Sequence, residues 1–192
     1  FEGTPDEIQQ ASDPGVRNFI EGLESPRDDL TGVTSHSIGQ KRLLQELSRL
    51  QRHEIPFSIV LLAMDHLEGV DRIDEHVAGQ TMFKIFANHV TQNTYITDTC
   101  FRYDINKILV VLPDTSEEQA RDFCHKISRT MENNALFDSI EAAKGLSYSV
   151  SAGVAQAHKD SGLEDLIAQA QQGQAVFYEC RNGPEESCVN HR

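Results

Sequence analysis

The sequence of 192 residues has no tryptophan, few aromatic residues (7%), only four cysteines, and 17 lysine or arginine residues against 30 acidic ones. The net charge of -13 argues against a surface for duplex nucleic acid or anionic membranes, because lysine and arginine are the residues that bind phosphate groups. No apolar run approaches the roughly 20 residues of a membrane helix, and no secretory signal is visible. The cysteines have neither metal-ligand spacing nor a dense disulfide pattern, which favours a reduced, cytoplasmic setting.

Hydrophobic residues make up 39% of the chain, enough for one full core and short extensions. The apolar periodicity predicts a helix, a strand, a helix, a hairpin, a helix, a strand and a last helix. Ser35 or Ser37 caps a first helix that runs to about residue 53. The other predicted bounds are 57–64, 78–93, 99–112, 115–131, 146–155 and 161–180, with residues 133–144 irregular. This order predicts an α/β (α+β) sandwich with a ferredoxin-like core, in which helices flank a mostly antiparallel sheet.

The segment from Phe101 to Pro113, FRYDINKILVVLP, has two extended runs around four turn-forming positions and predicts a β-hairpin with an exposed tip. Its flanks resemble the central hairpin of the GGDEF family, the bacterial diguanylate cyclases that join two GTP molecules into cyclic di-GMP. In that family Arg-Tyr precedes the Gly-Gly-Asp-Glu-Phe signature and Leu-Pro closes the following strand. The flanking residues are kept here, but none of the five signature residues is kept. Those positions hold Asp104, Ile105, Asn106, Lys107 and Ile108.

The resemblance recurs at four other places in the order of the family. Asp28 to Gly32 matches its Asp-x-Leu-Thr-Gly motif, and Ile59 to Asp65 (IVLLAMD) resembles its first core strand. Ser149 to Ala155 (SVSAGVA) and Ala175 to Gly183 (AVFYECRNG) resemble a later strand and the closing helix. The resemblance implies a degenerate GGDEF domain over residues 28–183, between an N-terminal linker helix (1–27) and a C-terminal tail (184–192).

Metal binding is the first function that the substitutions affect. Cyclase chemistry needs a divalent ion to neutralise the triphosphate and activate the attacking hydroxyl, so acidic ligands must converge at strand ends. Asp65 stands where the family has its first metal-binding Asp, but its other interpretation is a structural strand-end residue. The facing acid is replaced by Asn106 or Lys107, and we expect Lys107 to pair with Asp65 rather than a metal to bind. The resemblance therefore implies no cofactor, with Mg²⁺ only if GTP binding is retained.

The positions that would read guanine in the family are changed as well. Ile73 falls at the guanine-reading Asn, while Asp74 survives beside it in a segment that is two residues shorter than usual. Gln80 replaces a second guanine-binding Asp and lacks the paired acceptors of a carboxylate. These residues, together with Asp65, are interpreted as vestiges of a nucleotide site.

Two further sites of the family are incomplete. Cys180 stands at a phosphate-contacting Lys, although the adjacent Arg181 could substitute for it. The product-inhibition motif Arg-x-x-Asp aligns with residues 95–98, where Asp98 is kept and Tyr95 replaces the arginine. A phenol does not replace a bidentate guanidinium, but it can stack on a base. Tyr95 is interpreted chiefly as an ordinary aromatic residue.

Histidines in the same region raise a different possibility. His66, His76 and His89 lie near acidic residues, but their spacing fits no familiar metal motif. A metal-hydrolase site is therefore disfavoured. No nucleophile elbow or phosphate-cradling glycine loop is present in the sequence.

The N-terminal linker contains apolar residues at helical spacing after Pro14, namely Val16, Phe19, Ile20 and Leu23. Such a helix either couples an upstream sensor domain, as is common in the family, or packs on its own domain. The chain starts with Phe1 rather than Met, so we expect a piece of a longer protein. Missing neighbouring domains could then hold part of the function.

The resemblance implies a catalytically inactive module that regulates or binds proteins in cyclic di-GMP signalling. A protein partner, or a neighbouring sensor or phosphodiesterase domain, is expected, and a homodimer is compatible with the sequence. Two alternatives stay open. One is an enzyme with residual Mg²⁺-dependent GTP or ATP turnover, and the other is a cyclic di-GMP receptor that uses a non-standard site.

Overall fold

The computed structural model describes residues 25–68, 73–133, 136–137, 147–181 and 187–190, with the backbone alone at 66–68, 73–76, 181 and 187–190. The linker helix predicted upstream of residue 25 and most of the irregular stretch 133–144 lie outside these ranges. The elements, in chain order, are α1 (His36–His53), β1 (Phe57–Glu68), α2 (Ile73–Gln92), β2 (Thr99–Asp104), β3 (Lys107–Pro113), α3 (Glu117–Asn133), β4 (Ser147–Gln156), α4 (Leu163–Gln172), β5 (Ala175–Arg181) and β6 (Ser187–Asn190).

The strands form one six-stranded sheet in the order β2-β3-β1-β4-β5-β6, and every neighbouring pair is antiparallel. The segment from β1 to β4 has the β-α-β-β-α-β order of a ferredoxin-like unit, so the predicted fold class is confirmed. Within the described ranges, no helix is both long and apolar enough to cross a membrane.

The helices cover both faces of the sheet because the buried strands alternate their side chains between two cores. On β1, Val60 and Leu62 belong to the core under α2 and α3. Ile59 and Leu61 belong to the core under α1 and α4. All four are fully buried, so β1 is the central strand to which both helical layers are attached.

The chain after α4 differs from the expected closing helix. The helix ends at Gln172, Gly173 caps it, and residues 175–181 form β5 on the edge of β4. Val176, Phe177 and Tyr178 favour a strand, because β-branched and aromatic side chains pack well on a pleated surface. β6 then extends the sheet within the predicted tail.

The cysteines also depart from the expectation. Cys180 is disulfide-bonded, in contrast to the reduced state that the sequence favoured, and its neighbour across the β5–β6 ladder is Cys188. Cys100 and Cys124 are free. Burial raises the pKa of both thiols to about 12, so neither is a thiolate nucleophile at neutral pH.

A smaller difference concerns the start of α3. The helix was predicted to begin at residue 115, but it begins at Glu117 behind a capping box. Ser116 and Gln119 cap each other, with the Ser116 N–H donating to Gln119 Oε1 (2.8 Å) and the Gln119 N–H to Ser116 Oγ (3.3 Å).

Candidate functional site

A cavity of about 220 Å³ opens where the pairing of β1 with β3 ends, beside the tip of the β2–β3 hairpin. Antiparallel pairing of β1 with β3 sets this position, because Ala63 lies opposite Lys107 and the Met64 N–H donates to the Asn106 carbonyl (3.0 Å). The lining residues come from four parts of the chain, and they are Leu30, Met64, Asp65, Gly79, Gln80, Phe83, Arg102, Ile105 and Asn106. The fold therefore brings the vestigial metal and nucleotide residues Asp65 and Gln80 to one site.

Asp65 is held by the hairpin tip through Asn106. The Asn106 side-chain nitrogen donates to Asp65 Oδ1 (2.7 Å) and lies 3.2 Å from the Met64 carbonyl oxygen. Both partners are acceptors, which fixes the orientation of the amide with its nitrogen toward Asp65. The Asp65 carboxylate, just beyond the last β1 residue that pairs with β3, is thus bonded to a neutral donor.

Lys107 is not the partner of Asp65, so that expectation is wrong. Its ammonium lies 3.8 Å from Asp104 Oδ2, on the other side of the two-residue turn. Asp104 also accepts a hydrogen bond from the Ile105 N–H (2.8 Å). The turn places Asn106 toward β1 and directs Lys107 back to its own hairpin.

The other two signature positions have apolar side chains with opposite surroundings. Ile105 is 80% exposed at the tip, whereas Ile108 is fully buried in the core under α2 and α3. One of the five positions thus contributes to packing, and one presents an apolar side chain to solvent.

Arg102 connects the hairpin to the turn at residues 28–32, a feature that the sequence reasoning missed. Its guanidinium donates to Asp28 Oδ2 (3.2 Å), the Asp104 carbonyl (3.2 Å) and the Ile105 carbonyl (3.1 Å). It also lies 5.6 Å from the centroid of the Phe83 ring on α2. The Arg-Tyr and Asp-x-Leu-Thr-Gly motifs were both recognised, but their pairing depends on tertiary structure.

The other end of this contact is a tightly bonded carboxylate. Burial would raise the pKa of Asp28, but hydrogen bonds from the Thr31 hydroxyl (2.6 Å) and N–H (2.8 Å), together with Arg102, outweigh it and lower the pKa. Gly32 ends this turn with a φ of +73°, a conformation that favours glycine. The turn is therefore a fixed wall on the Arg102 side of the cavity.

The remaining vestigial nucleotide residues are placed by the backbone alone. Asp74 is the second residue of α2, and Arg181 is the last residue of β5. The sheet register puts Asp65 opposite Ser149 and Ser149 opposite Glu179, so Arg181 lies at the same end of the sheet as Asp65. Two strand spacings separate β5 from β1, about 10 Å.

The vestigial inhibitory residues form a separate turn before β2. The Tyr95 N–H donates to Asp98 Oδ2 (2.7 Å), and the Tyr95 ring is 77% exposed with the Lys126 ammonium 5.8 Å from its centroid. Burial raises the pKa of Asp98. Asp98 also borders a cavity of about 600 Å³ that Arg27 and Arg42 line.

A metal site built from histidine finds no support in the described part of the chain. No group of three or more His, Cys, Asp or Glu side chains there is arranged to hold a metal ion. His89 is buried, with its Nε2 2.9 Å from the Thr130 hydroxyl, which makes it a packing residue between α2 and α3. The side chains of His66 and His76 are outside the described set.

Both the sequence and the fold of this chain resemble those of known proteins. Residues 25–179 match the family model described as Diguanylate cyclase, GGDEF domain. Diguanylate cyclase DgcP of Pseudomonas aeruginosa is 27% identical over 117 residues, which cover 58% of this chain and 17% of that protein. The chain thus spans about a sixth of the length of this curated relative.

Two solved structures share the fold. The GGDEF domain of DgcB from Caulobacter crescentus, in complex with c-di-GMP, has a TM-score of 0.68 at 14% identity and covers 78% of this chain and 87% of that one. Diguanylate cyclase SiaD from Pseudomonas aeruginosa, in complex with its activator SiaC, has a TM-score of 0.61 at 19% identity and covers 88% and 63%. At these identities the likeness concerns the fold alone.

Proposed function

This chain belongs to the GGDEF family of diguanylate cyclase domains, and we propose that it serves cyclic di-GMP signalling as a catalytically inactive regulatory module. The bond from Asn106 to Asp65 carries this proposal. Mg²⁺ requires oxygen ligands in near-octahedral geometry, and a hairpin acid facing Asp65 would supply one. Here an amide nitrogen faces the carboxylate instead, so the residues do not fit a catalytic metal.

The size of the cavity supports the same proposal. Its volume of about 220 Å³ is below the roughly 300 Å³ at which pockets for small molecules begin. Arg102 and Phe83 form part of its wall, and Arg102 is held there by three hydrogen bonds. Asp65 itself is exposed, so the argument against a bound nucleoside triphosphate is the small size of the cavity beside it.

Exposed apolar residues at two loops support a role in protein binding. Ile105 at the hairpin tip is 80% exposed, and Ile96 in the turn before β2 is fully exposed. An exposed apolar side chain on a turn can lose its contact with water in the hydrophobic core of a protein interface. A protein partner or a neighbouring domain is therefore the proposed target of regulation.

One observation favours a second candidate, a cyclic di-GMP receptor with a non-standard site. The cavity beside Asp98 has a volume of about 600 Å³ and is lined by the guanidinium-bearing Arg27 and Arg42. Guanidinium groups bind phosphate in a bidentate manner. In this candidate, Arg27 and Arg42 would bind the phosphate groups in place of the motif arginine that Tyr95 replaces.

A calorimetric titration with GTP and, separately, cyclic di-GMP tests these proposals, each with Mg²⁺ and at micromolar protein, followed by a product assay. Inactive regulation predicts no cyclic di-GMP product and no nucleotide hydrolysis. Turnover that an Asp65→Ala variant abolishes would overturn it. The receptor candidate predicts heat with cyclic di-GMP that is lost in the Arg27→Ala/Arg42→Ala variant and kept in an Arg121→Ala control. No heat with the wild type would remove that candidate.

A further inference from the structure

Strand β6 lies at the edge of the sheet opposite to β2, and its backbone pairing alone holds it weakly. It has four residues, and in the described part of the chain it pairs only with β5. A short edge strand gains little from its ladder, because half of its backbone groups face away from the sheet. A covalent link to β5 would therefore decide whether β6 stays in place.

The β5–β6 ladder brings two cysteines together at this edge. Cys180 on β5 lies opposite Cys188 on β6. Opposite residues of an antiparallel pair have Cα atoms about 4.5–5.5 Å apart, which is within the range of about 4.4–6.8 Å that a disulfide spans. Cys180 is disulfide-bonded, whereas Cys100 and Cys124 are free. Of the four cysteines in the sequence, Cys188 is therefore the partner that remains.

Strand β5 has enough support of its own to stay folded without β6. It pairs with β4 over residues 175–180, and Cys180 is buried in the core under α2 and α3. Helix α3 packs against β5 as well as β6, and the Ser128 hydroxyl donates to the Phe177 carbonyl (3.4 Å). Opening of the edge would therefore be a local event that leaves the rest of the sheet in place.

The same register connects this edge to the end of the sheet that holds the candidate site. One row across β1, β4, β5 and β6 consists of His66, Tyr148, Cys180 and Cys188. Arg181 follows Cys180 and pairs with Ser187 of β6. Loss of β6 would thus remove one backbone partner of Arg181, which lies at the same end of the sheet as Asp65.

We propose that Cys180 and Cys188 form a reversible disulfide that fastens β6 to the sheet, and that its reduction releases β6 and leaves β5 as the edge strand. The reductant is a low-molecular-weight thiol such as glutathione. One thiolate attacks the protein disulfide and forms a mixed disulfide, and a second thiolate then displaces the protein sulfur. Two reductant thiols become one disulfide, while the two protein sulfurs gain two electrons and two protons. The outer backbone groups of β5 can then pair with a strand of another chain.

Mass spectrometry of the full chain in glutathione buffers at pH 7 tests whether the bond forms reversibly. Free thiols are trapped with iodoacetamide, and the peptides that contain Cys180 and Cys188 are identified. We expect a linked peptide in a chain of monomer mass under oxidising conditions. At constant oxidised glutathione, the ratio of linked to reduced chains should fall with the square of the reduced glutathione concentration. A linkage that does not form, does not reverse, or occurs only in chains of dimer mass would overturn the proposal.

Hydrogen–deuterium exchange of the oxidised and the reduced chain tests the release of β6. Peptides covering residues 187–190 should exchange at least about tenfold faster after reduction, because the link no longer limits the opening of the strand. Peptides from β1 should keep their exchange rates, since β5 stays paired with β4 and packed on α3.

Two variants serve as controls for the exchange experiment. Cys188→Ser should match the reduced wild type in both buffers. Cys124→Ala, which removes a free cysteine from α3, should keep the redox dependence of β6. Equal exchange of β6 in the oxidised and the reduced wild type would overturn its release. Faster exchange in β1 as well as β6 would also overturn it, because the bond would then stabilise the whole domain rather than one strand.

Discussion

Asn106 Nδ2 and Asp65 Oδ1 are 2.7 Å apart, so one amide–carboxylate hydrogen bond joins the hairpin tip to β1. Replacing Asn106 by Asp would put two carboxylates at this distance. Because like charges at a shared site repel each other and Asp65 is exposed, we expect Asn106→Asp to lower the free energy of unfolding by up to about 1 kcal/mol at pH 7. The loss should shrink toward pH 4, where one carboxyl takes up a proton.

Urea unfolding at both pH values measures this effect, with Asn106→Ala as the control that removes the bond without adding a charge. The Asn106→Asp variant should still make no cyclic di-GMP, because the resemblance implies that Ile73 and Gln80 replace residues that bind guanine in the family. Detectable product would show that one acid restores the metal site and would contradict the proposed loss of function.

Buried His89 makes the domain sensitive to mild acid. Burial lowers the pKa of His89, although a backbone hydrogen bond at Ile127 acts in the other direction. The unfolded chain therefore binds a proton more readily than the folded one. The stability contributed by neutral His89 is present above pH 6.5 and is lost as the pH falls from there through the folded-state pKa.

Chemical unfolding between pH 7.5 and 5 tests this, with a slope from His89 of at most about 1.4 kcal/mol per pH unit. His89→Gln, which keeps a hydrogen-bonding group near Thr130, should flatten the slope. His125→Gln, an exposed position on α3, should leave it unchanged. Equal slopes in wild type and His89→Gln would assign the acid sensitivity to other groups.

The fold was predictable where periodicity and turn chemistry agreed. Leu43, Leu47 and Leu50 lie at helical spacing and are buried on α1, a helix that the sequence predicted. The hairpin was predicted within one residue at each strand end, because turn residues separate two β-forming runs. Both signals depend only on neighbouring residues, so they can be recognised in one sequence alone.

The wrong predictions concern features of the structure that are determined by contacts between distant parts of the chain. Resemblance to a closing helix outweighed the β-propensity of Val176 and Phe177, and only pairing with β4 settles that competition. The sequence could not tell whether Asn106 or Lys107 faces Asp65. A shift of one residue along the hairpin turns a side chain to the opposite face, and the sequence does not fix that register. The bond between Arg102 and Asp28 joins residues 74 positions apart, which no local pattern reveals.

Replacing Arg102 by Lys should loosen the hairpin tip. One ammonium cannot reproduce the contacts of the planar guanidinium to Asp28, the Asp104 carbonyl and the Ile105 carbonyl. We expect a loss of about 1 kcal/mol at pH 7, because these groups are partly exposed. The lowered pKa of Asp28 means that its part of the stability is present above about pH 4 and disappears as the pH falls further.

Urea unfolding at pH 7 and pH 3 measures this difference between wild type and Arg102→Lys, which should be smaller at pH 3. Arg121→Lys serves as the control, because Arg121 pairs with Glu117 on the exposed surface of α3. If both variants lower the free energy of unfolding equally at pH 7, the contacts of Arg102 stabilise the domain no more than those of an exposed arginine.

Gly153 on β4 is the position where the packing of α4 leaves no room for a side chain. A Cβ there would overlap the carbonyl group of Ala170, a backbone atom that cannot rotate away. Gly153→Ala should therefore push α4 off the sheet and cost about 1–3 kcal/mol, a drop in Tm of several degrees for a chain of this length.

Gly173→Ala is the matched control, because Gly173 has a φ of -83° and the nearest atom to an added Cβ is 3.3 Å away. The control should cost much less, because the Gln169 carbonyl oxygen would be a close contact of the added Cβ rather than an overlap. Thermal unfolding separates the two, and equal Tm values would mean that α4 can shift without loss and that the glycine in the SVSAGVA strand has no packing role.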